Sequence, residues 1–527
     1  MIPFRVVRDA VHGDIDLTEL EGQIVDTPQF QRLRRVRQLG SSFLVFPSAN
    51  HTRFEHSLGT VAVAQRMIDH LNRQGADGKR VVDDHAEAIV RLASLVHDVE
   101  HIPFGHTLED DAGLFTRHDS RPRLTQALGT DSDIGQLLES STVGYRKEVL
   151  ELLFHVSDHT HPKPGLGLVQ PWMVDLVGNT ICADLLDYVR RDLYFCGITD
   201  DYDDRVFRSF EIDSGTQRLV IRLVKRGRYK RDIQSELLGI LGIRYSLSEK
   251  VLYHHTKLAL DAMLSKGVEA TRMTLDELKE IDDLEVIRRL ARSKNPVASK
   301  VGTLLERRGK YKPVFEITHD AAAQFFPPGQ TKSKLEELAE KYSESNDAAK
   351  NRLRDETGLE RTSGLDDGDV IIFCLRKATN LKEAQVMVLW GGKATRLMDV
   401  KQNPPKGEVE ALDAKYVALW KFGVFVHPEK YELFAVELER NVRKLVKAEN
   451  VLRMADPDEW GRLDQYQEAF ESFAREKNIG RIQEVDEFRK FALAEGVKAR
   501  APGKSSVDVF RESLSTIYNA WSQEQGK

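Results

Sequence analysis

Leu95-Val96-His97-Asp98-Val99-Glu100-His101-Ile102-Pro103-Phe104-Gly105-His106 places an imidazole beside a carboxylate at the end of an apolar run. The run is Ile89, Leu92, Ala93 and Val96, and its spacing of three and four predicts a helix with one buried face. A histidine and an aspartate in apolar surroundings cost free energy unless they are paired, hydrogen-bonded or bound to metal. Their partners must come from elsewhere in the chain.

The first lies upstream. Phe43-Leu44-Val45-Phe46-Pro47 reads as an apolar strand or turn leading into Arg53-Phe54-Glu55-His56-Ser57. Val61, Ala64, Ile68 and Leu71 continue it as an amphipathic helix ending at Gly75. His56 therefore sits near the start of a packed helix. Downstream, Ile181 to Asp192 is a second apolar helix, with Asp184, Tyr188 and Arg191 spaced to share one face. Two imidazoles and two carboxylates, His56, His97, Asp98 and Asp184, form a mixed nitrogen and oxygen set suited to iron, manganese, zinc or nickel. His101, His106 and His118 are available for proton transfer near neutral pH, and Arg53, Arg191 and Arg244 can offset phosphate charge. From spacing alone, several unrelated core histidines account for the pattern as well as a metal site does.

The remaining stretches set the frame. Asp26-Thr27-Pro28-Gln29 is a helix start, and the helix carries Arg32, Arg34, Arg35 and Arg37, either a solvated face or an anion site. Residues 107 to 145 are polar and read as a lobe laid over a site, outside the core. Residues 234 to 265 predict one long helix. Residues 265 to 360 are charged and helical, interrupted by Phe325-Phe326-Pro327-Pro328-Gly329, with an exposed piece from Thr331 to Gly358. Val370 to Cys374, Gln385 to Trp390 and Tyr416 to Val426 read as strands. The fold class expected is mainly α, with short β elements in the core, a smaller C-terminal α/β subdomain and a helical tail. The domains expected are residues 1–265 with the metal site, 266–360 as a charged connector, 361–450 as the α/β subdomain and 451–527 as the tail. The second half gathers no histidine–carboxylate set, so assembly or regulation is its expected role.

The 527 residues carry 77 Lys plus Arg against 83 Asp plus Glu, a net charge of -6, which argues against a chain whose main task is coating nucleic acid. Three cysteines are too few for a disulfide scaffold or a four-thiolate zinc site. There is neither a signal-peptide core at the N-terminus nor an apolar run of about 18 residues, and a cytoplasmic protein without a membrane span is expected.

The order His56, His97-Asp98, Asp184 resembles the signature of the HD phosphohydrolase superfamily. Asp26 to Arg34, Gln38-Leu39-Gly40, Arg53 to Gly59 and Asp187-Tyr188 are similar to the deoxynucleoside triphosphate triphosphohydrolases, over roughly residues 5 to 265. The resemblance implies an HD-domain helical core in which His56, His97, Asp98 and Asp184 bind one transition-metal ion, and in which Mg2+ accompanies the triphosphate. It implies that Arg53 holds phosphate, that His101, His106 and His118 lie where an acid or base acts, and that Gln38, Tyr188, Asp192 and Arg244 line the substrate pocket. The implied reaction is water attack at the α-phosphorus of a dNTP, releasing deoxynucleoside and intact triphosphate. Asp26, Gln31 and Arg34 match a site for a GTP or dNTP effector that drives assembly of a homo-oligomer (dimer, tetramer or hexamer), with Arg5 in place of the lysine usual near that nucleotide's phosphates. Two departures stand out: Glu100 replaces the usual glycine beside the metal, and Leu252 replaces a tyrosine that packs on the sugar. The alternatives are an HD-type phosphodiesterase or nuclease on oligonucleotides, with nucleic acid as a secondary partner, and a nucleotide-sensing interaction protein with a vestigial site.

Overall fold

The computed structural model describes residues 4–75, 79–225, 228–320, 328–376, 386–400, 406–479, 482–497 and 506–525. It is mainly α-helical. The chain opens with a hairpin of β1 (Arg5–Asp9) and β2 (Gly13–Leu17), with Arg5 opposite Leu17 and Asp9 opposite Gly13. Gly13 turns it with φ near +79°, a conformation that costs glycine nothing. Helix α1 (Glu19–Val25) follows behind a capping box of Thr18 and Glu21.

Three helices carry the centre of the molecule. Helix α2 (Arg53–Asn72) starts where Glu55 accepts hydrogen bonds from the Thr52 amide and hydroxyl, at 2.5 and 2.9 Å. Helix α3 (Asp84–Val96) is capped by Asp83, whose carboxylate accepts the Ala86 amide; such a cap contributes about 1 kcal/mol. It stops at Val96, so His97 and Asp98 fall in a tight turn closed by the His101 amide on the Asp98 carbonyl. Helix α4 (Arg121–Ala127) lies in the stretch after that turn. Helix α5 (Ala183–Cys196) puts Asp184 in its first turn and ends on Gly197 with φ near +68°. Leu58, Val61, Ile68, Val90, Leu92, Leu186 and Val189 are buried in the shared core of α2, α3 and α5.

That core also takes Leu124, Ala127, Leu128, Ile134 and Leu138. Residues 107–145 are thus in part core, contrary to the lobe expected from their polarity: short helices there bury apolar residues at spacings of three and four.

The long helix expected over 234–265 is two, α6 (Arg231–Leu247) and α7 (His255–Thr271), separated by a wide helical turn at Ser248–Leu252. Helix α8 (Leu275–Lys279) follows. Beyond it lie two sheets. One has the order Lys393–Arg396, Met387–Trp390, Leu219–Arg222, Phe210–Ile212, so the second half lays two strands beside two of the first. The other is Lys312–Thr318, Lys421–Val426, Val370–Cys374, antiparallel throughout. Tyr416, read as the start of a strand, is instead in helix α9 (Lys406–Ala418). The stretch read as exposed from Thr331 to Gly358 is largely helical and buries Arg352 and Glu356. Phe325-Phe326-Pro327 lies outside the described residues.

The apolar side chains form two large cores, and these interlock. Val386, Val388 and Val409 join the first, while Ile102, Phe104 and Leu108, next to the His-Asp turn, pack into the second with Leu258 and Met263. No helix among the described residues is long and apolar enough to cross a membrane.

Candidate metal centre

α2, the turn after α3 and the first turn of α5 bring four side chains to one point. His56 Nε2 lies 3.1 Å from Asp184 Oδ1, 3.3 Å from His97 Nε2 and 3.6 Å from Asp98 Oδ2. His97 Nε2 is 3.5 Å from Asp98 Oδ1 and 3.7 Å from Asp184 Oδ1. The other ring nitrogen of each histidine is already engaged. His56 Nδ1 is 2.7 Å from Asp187 Oδ2, and His97 Nδ1 is 2.8 Å from the Ser94 carbonyl. Both imidazoles therefore turn Nε2 toward the same point, as ligands do when an outer partner fixes the ring. His56, His97 and Asp184 at this separation can hold a divalent ion, with Asp98 alongside, between this group and the next. Burial works against charging His56, yet Asp184, Asp187 and Asp98 carry its imidazole up to about 10. The negative charge gathered at this point thus calls for a cation of some kind.

Asp187 is the hub behind the centre. Its carboxylate also lies 2.6 Å from His12 Nε2 and accepts two bonds of 2.9 Å from Arg191, which reaches on to Asp9 at 2.8 Å. Arg191 is fully buried in these pairs and does not line the cavity, although its spacing puts it near the face of Asp184 and Tyr188. Two turns further along the helix, its long side chain reaches Asp9 of the hairpin instead.

A second group stands beside the first. Asp98 Oδ1 is 3.2 Å from His101 Nε2 and 3.6 Å from His118 Nε2, and these two rings stack at 3.5 Å. This trio too can hold an ion. Both ring nitrogens of His101 are buried without a hydrogen bond. Burial, then the Arg53 charge, holds that imidazole neutral, well below its usual range. His106 is more exposed and pairs with Asp110 at 2.8 Å.

The groups face a cavity of about 530 Å³, a size usual for a small-molecule site. Its wall includes the expected Gln38, Arg53, Tyr188, Asp192 and Arg244. Arg53 is drawn against the metal point, 2.7 Å from Asp98 Oδ2. Asp192 is held by His51 at 2.8 Å, and Gln38 Oε1 is buried without a partner. The cavity also has Leu375 and Tyr416 in its wall, residues of the second half that no local pattern announces. Glu109, which accepts from His118, and Arg123, which holds Glu109, were missed as well; a charged pair at a distance leaves no periodic signal. The effector set lies elsewhere: Arg5 grips Asp26 through two bonds of 2.7 Å, Arg34 donates to Gln31 at 2.8 Å, and none of the four lines the cavity.

With this geometry in view, comparison with known proteins is direct. Residues 53–191 match the HD domain, and residues 240–451 match the HD associated region. The chain thus carries an HD domain with the HD associated region following it. Among its relatives, an uncharacterised protein of Methanocaldococcus jannaschii is 28% identical over 319 residues, 58% of this chain and 59% of that one. The deoxynucleoside triphosphate triphosphohydrolase SAMHD1 of Homo sapiens is 28% identical over 286 residues, 50% of this chain and 44% of its own. The chain thus spans about three fifths or less of the length of these curated relatives. A phosphohydrolase structure from Bacteroides thetaiotaomicron shares the fold, with a TM-score of 0.54 and 19% identity over 80% of this chain and 99% of that one.

Proposed function

We propose that this protein hydrolyses deoxynucleoside triphosphates to deoxynucleoside and inorganic triphosphate. The observation that carries the reading is the convergence of His97, Asp98 and Asp184 at the cavity wall, with His56 directly behind them and Arg53 and His118 beside them. The named SAMHD1 relatives support the substrate class.

His56, His97, Asp98 and Asp184 would hold the transition-metal ion, and Mg2+ would arrive with the triphosphate, on its phosphate oxygens. Bound there, such ions supply Lewis acidity, polarising a phosphoryl oxygen and making water more acidic. The protein's own groups do the rest. Arg53, next to Asp98, and Arg244 offset triphosphate charge. His118 has one ring nitrogen at Glu109 and the other toward Asp98 and the cavity, so it holds a proton where the departing 5′-oxygen needs one. The unpartnered Gln38 oxygen suits a sugar hydroxyl, which would otherwise leave it buried and unsatisfied. Tyr188 supplies an adjoining wall. A cavity of about 530 Å³ walled in part by Leu375 and Tyr416 suits a mononucleotide. Arg5, Asp26, Gln31 and Arg34 serve as the seat of a guanine-nucleotide or dNTP effector that promotes oligomerisation.

The test incubates the purified chain with each dNTP and NTP, singly and in pairs, with manganese or magnesium. Intact triphosphate among the products is expected, and its loss in His97→Ala/Asp98→Ala. Orthophosphate or pyrophosphate alone, or full turnover by the double variant, would sink the reading.

A further inference from the structure

Glu100 stands where related chains are expected to carry glycine, and its carboxylate is buried. It turns to two cations. Lys279 Nζ, at the end of α8, lies 2.6 Å from Oε2, and Arg123 Nε, on α4, lies 3.3 Å from the same oxygen. Arg123 also donates through Nη2 to the Glu100 main-chain carbonyl, so its guanidinium holds both ends of one residue. Its remaining nitrogen, Nη1, donates to Glu109 Oε1 and to the Thr116 carbonyl, each at 2.6 Å. The other Glu109 oxygen accepts the His118 amide at 2.9 Å and faces His118 Nδ1 at 3.0 Å.

The chain of contacts Glu100, Arg123, Glu109, His118 is buried throughout. A carboxylate with each oxygen bound to a different partner cannot rotate, and a planar guanidinium spanning two carboxylates fixes their separation. Two buried carboxylates against Arg123 and Lys279 also balance in charge; removing Arg123 would leave one of them uncompensated. We propose that Arg123, itself seated by Glu100, is a positioning residue for His118: it locks Glu109 and thereby aims His118 Nε2 at Asp98 and the cavity. Because the His101 ring stacks on His118, the same lock constrains both imidazoles. The kinetic part of this inference rests on the dNTP reading above; the positional part does not.

The test uses the full chain with Arg123→Met, Glu100→Gln and His118→Ala, and with Arg123→Met combined with His118→Ala. In the wild-type background Arg123→Met is expected to lower kcat about 10²-fold, the order associated with a displaced catalytic group, with KM changed by less than about threefold. Metal content per chain stays at the wild-type level. In the His118→Ala background Arg123→Met costs at most a small further loss, because its main route to the reaction is already gone. An equal fold-loss in both backgrounds overturns the proposal. Glu100→Gln keeps the shape and weakens the charge, so it gives a smaller loss of the same kind; it carries the comparison if Arg123→Met does not fold. A crystal structure of Arg123→Met, or of Glu100→Gln in its place, is expected to show the His118 ring displaced or in several orientations, and an unmoved ring overturns the proposal. That readout holds whatever the substrate: should no dNTP be hydrolysed by the wild-type chain, the substrate reading falls and the ring position still decides this one.

Discussion

Asp187 meets His56, His12 and Arg191 with one carboxylate, and replacing it with Asn removes the charge while keeping the size. The His56 ring then loses the partner that fixes its orientation. Metal affinity is expected to fall about 10–100-fold, as outer-shell substitutions do, measured by competition with a chelator. A second residue answers to pH. Burial pushes the Asp111 carboxyl up to about 7, with nearby Asp261 and Asp110 outweighed in part by Lys257. Its folded-state pKa is thus above the unfolded one, so between the two the native state binds the extra proton. Its contribution to stability is therefore fully present below about 4 and is lost as pH rises toward 7. Asp111→Asn should raise Tm relative to wild type at pH 8 and show no advantage at pH 4, as read by thermal melts. At this scale the sequence was eloquent about His56, His97, Asp98 and Asp184, because costly polar groups in apolar helices announce themselves. It was silent about Asp187, Glu109 and Arg123, whose partners lie far off in the chain. Glu100, which looked like an extra charge beside the ion, is instead spoken for by Arg123 and Lys279.

Among the elements, α2 shows why a motif holds a small residue. A methyl group at Gly59 would overlap the Asp187 carboxylate and the Arg191 guanidinium, so glycine lets α5 lie against α2 with these side chains between them. Gly59→Ala should therefore lower both metal content and Tm, by mass spectrometry and melting, even though alanine is the better helix former by about 1 kcal/mol. The hairpin is legible in the same way: Gly13 marks its turn. The turn's delivery of His12 to Asp187 is not legible, since no pattern within β1 and β2 points to α5. Helix breaks are harder still. Nothing in the apolar stripe of 234–265 signals the interruption at Ser248–Leu252, and Tyr416 reads as strand because aromatic residues favour strands while its neighbours fix it in α9.

For the whole molecule, the prediction concerns assembly. The exposed Arg5–Asp26 pair and the adjacent Gln31–Arg34 pair sit apart from the cavity, so an effector there acts at a distance. Light scattering of the full chain should show a larger particle on adding guanine nucleotide with a dNTP, and Asp26→Ala/Arg34→Ala should abolish that growth without altering metal content. An unchanged mass in every nucleotide mixture would remove the effector reading. The mainly helical class was readable from local pattern, and the grouping of His56, His97, Asp98 and Asp184 from the resemblance added to it. The interlocking of two cores was not, because Val386, Val388 and Val409 join their core across more than a hundred residues of intervening chain.

That interlocking sets an order of events during synthesis. Every residue of the metal quartet has left the ribosome once Asp184 emerges, whereas Leu375 and Tyr416, which wall the cavity, follow about two hundred residues later. At roughly 5–20 residues per second the nascent chain spends ten seconds or more with an assembled ligand set and an unfinished pocket. Ion capture can thus come early, while the cavity gains its full wall only with the second half of the chain.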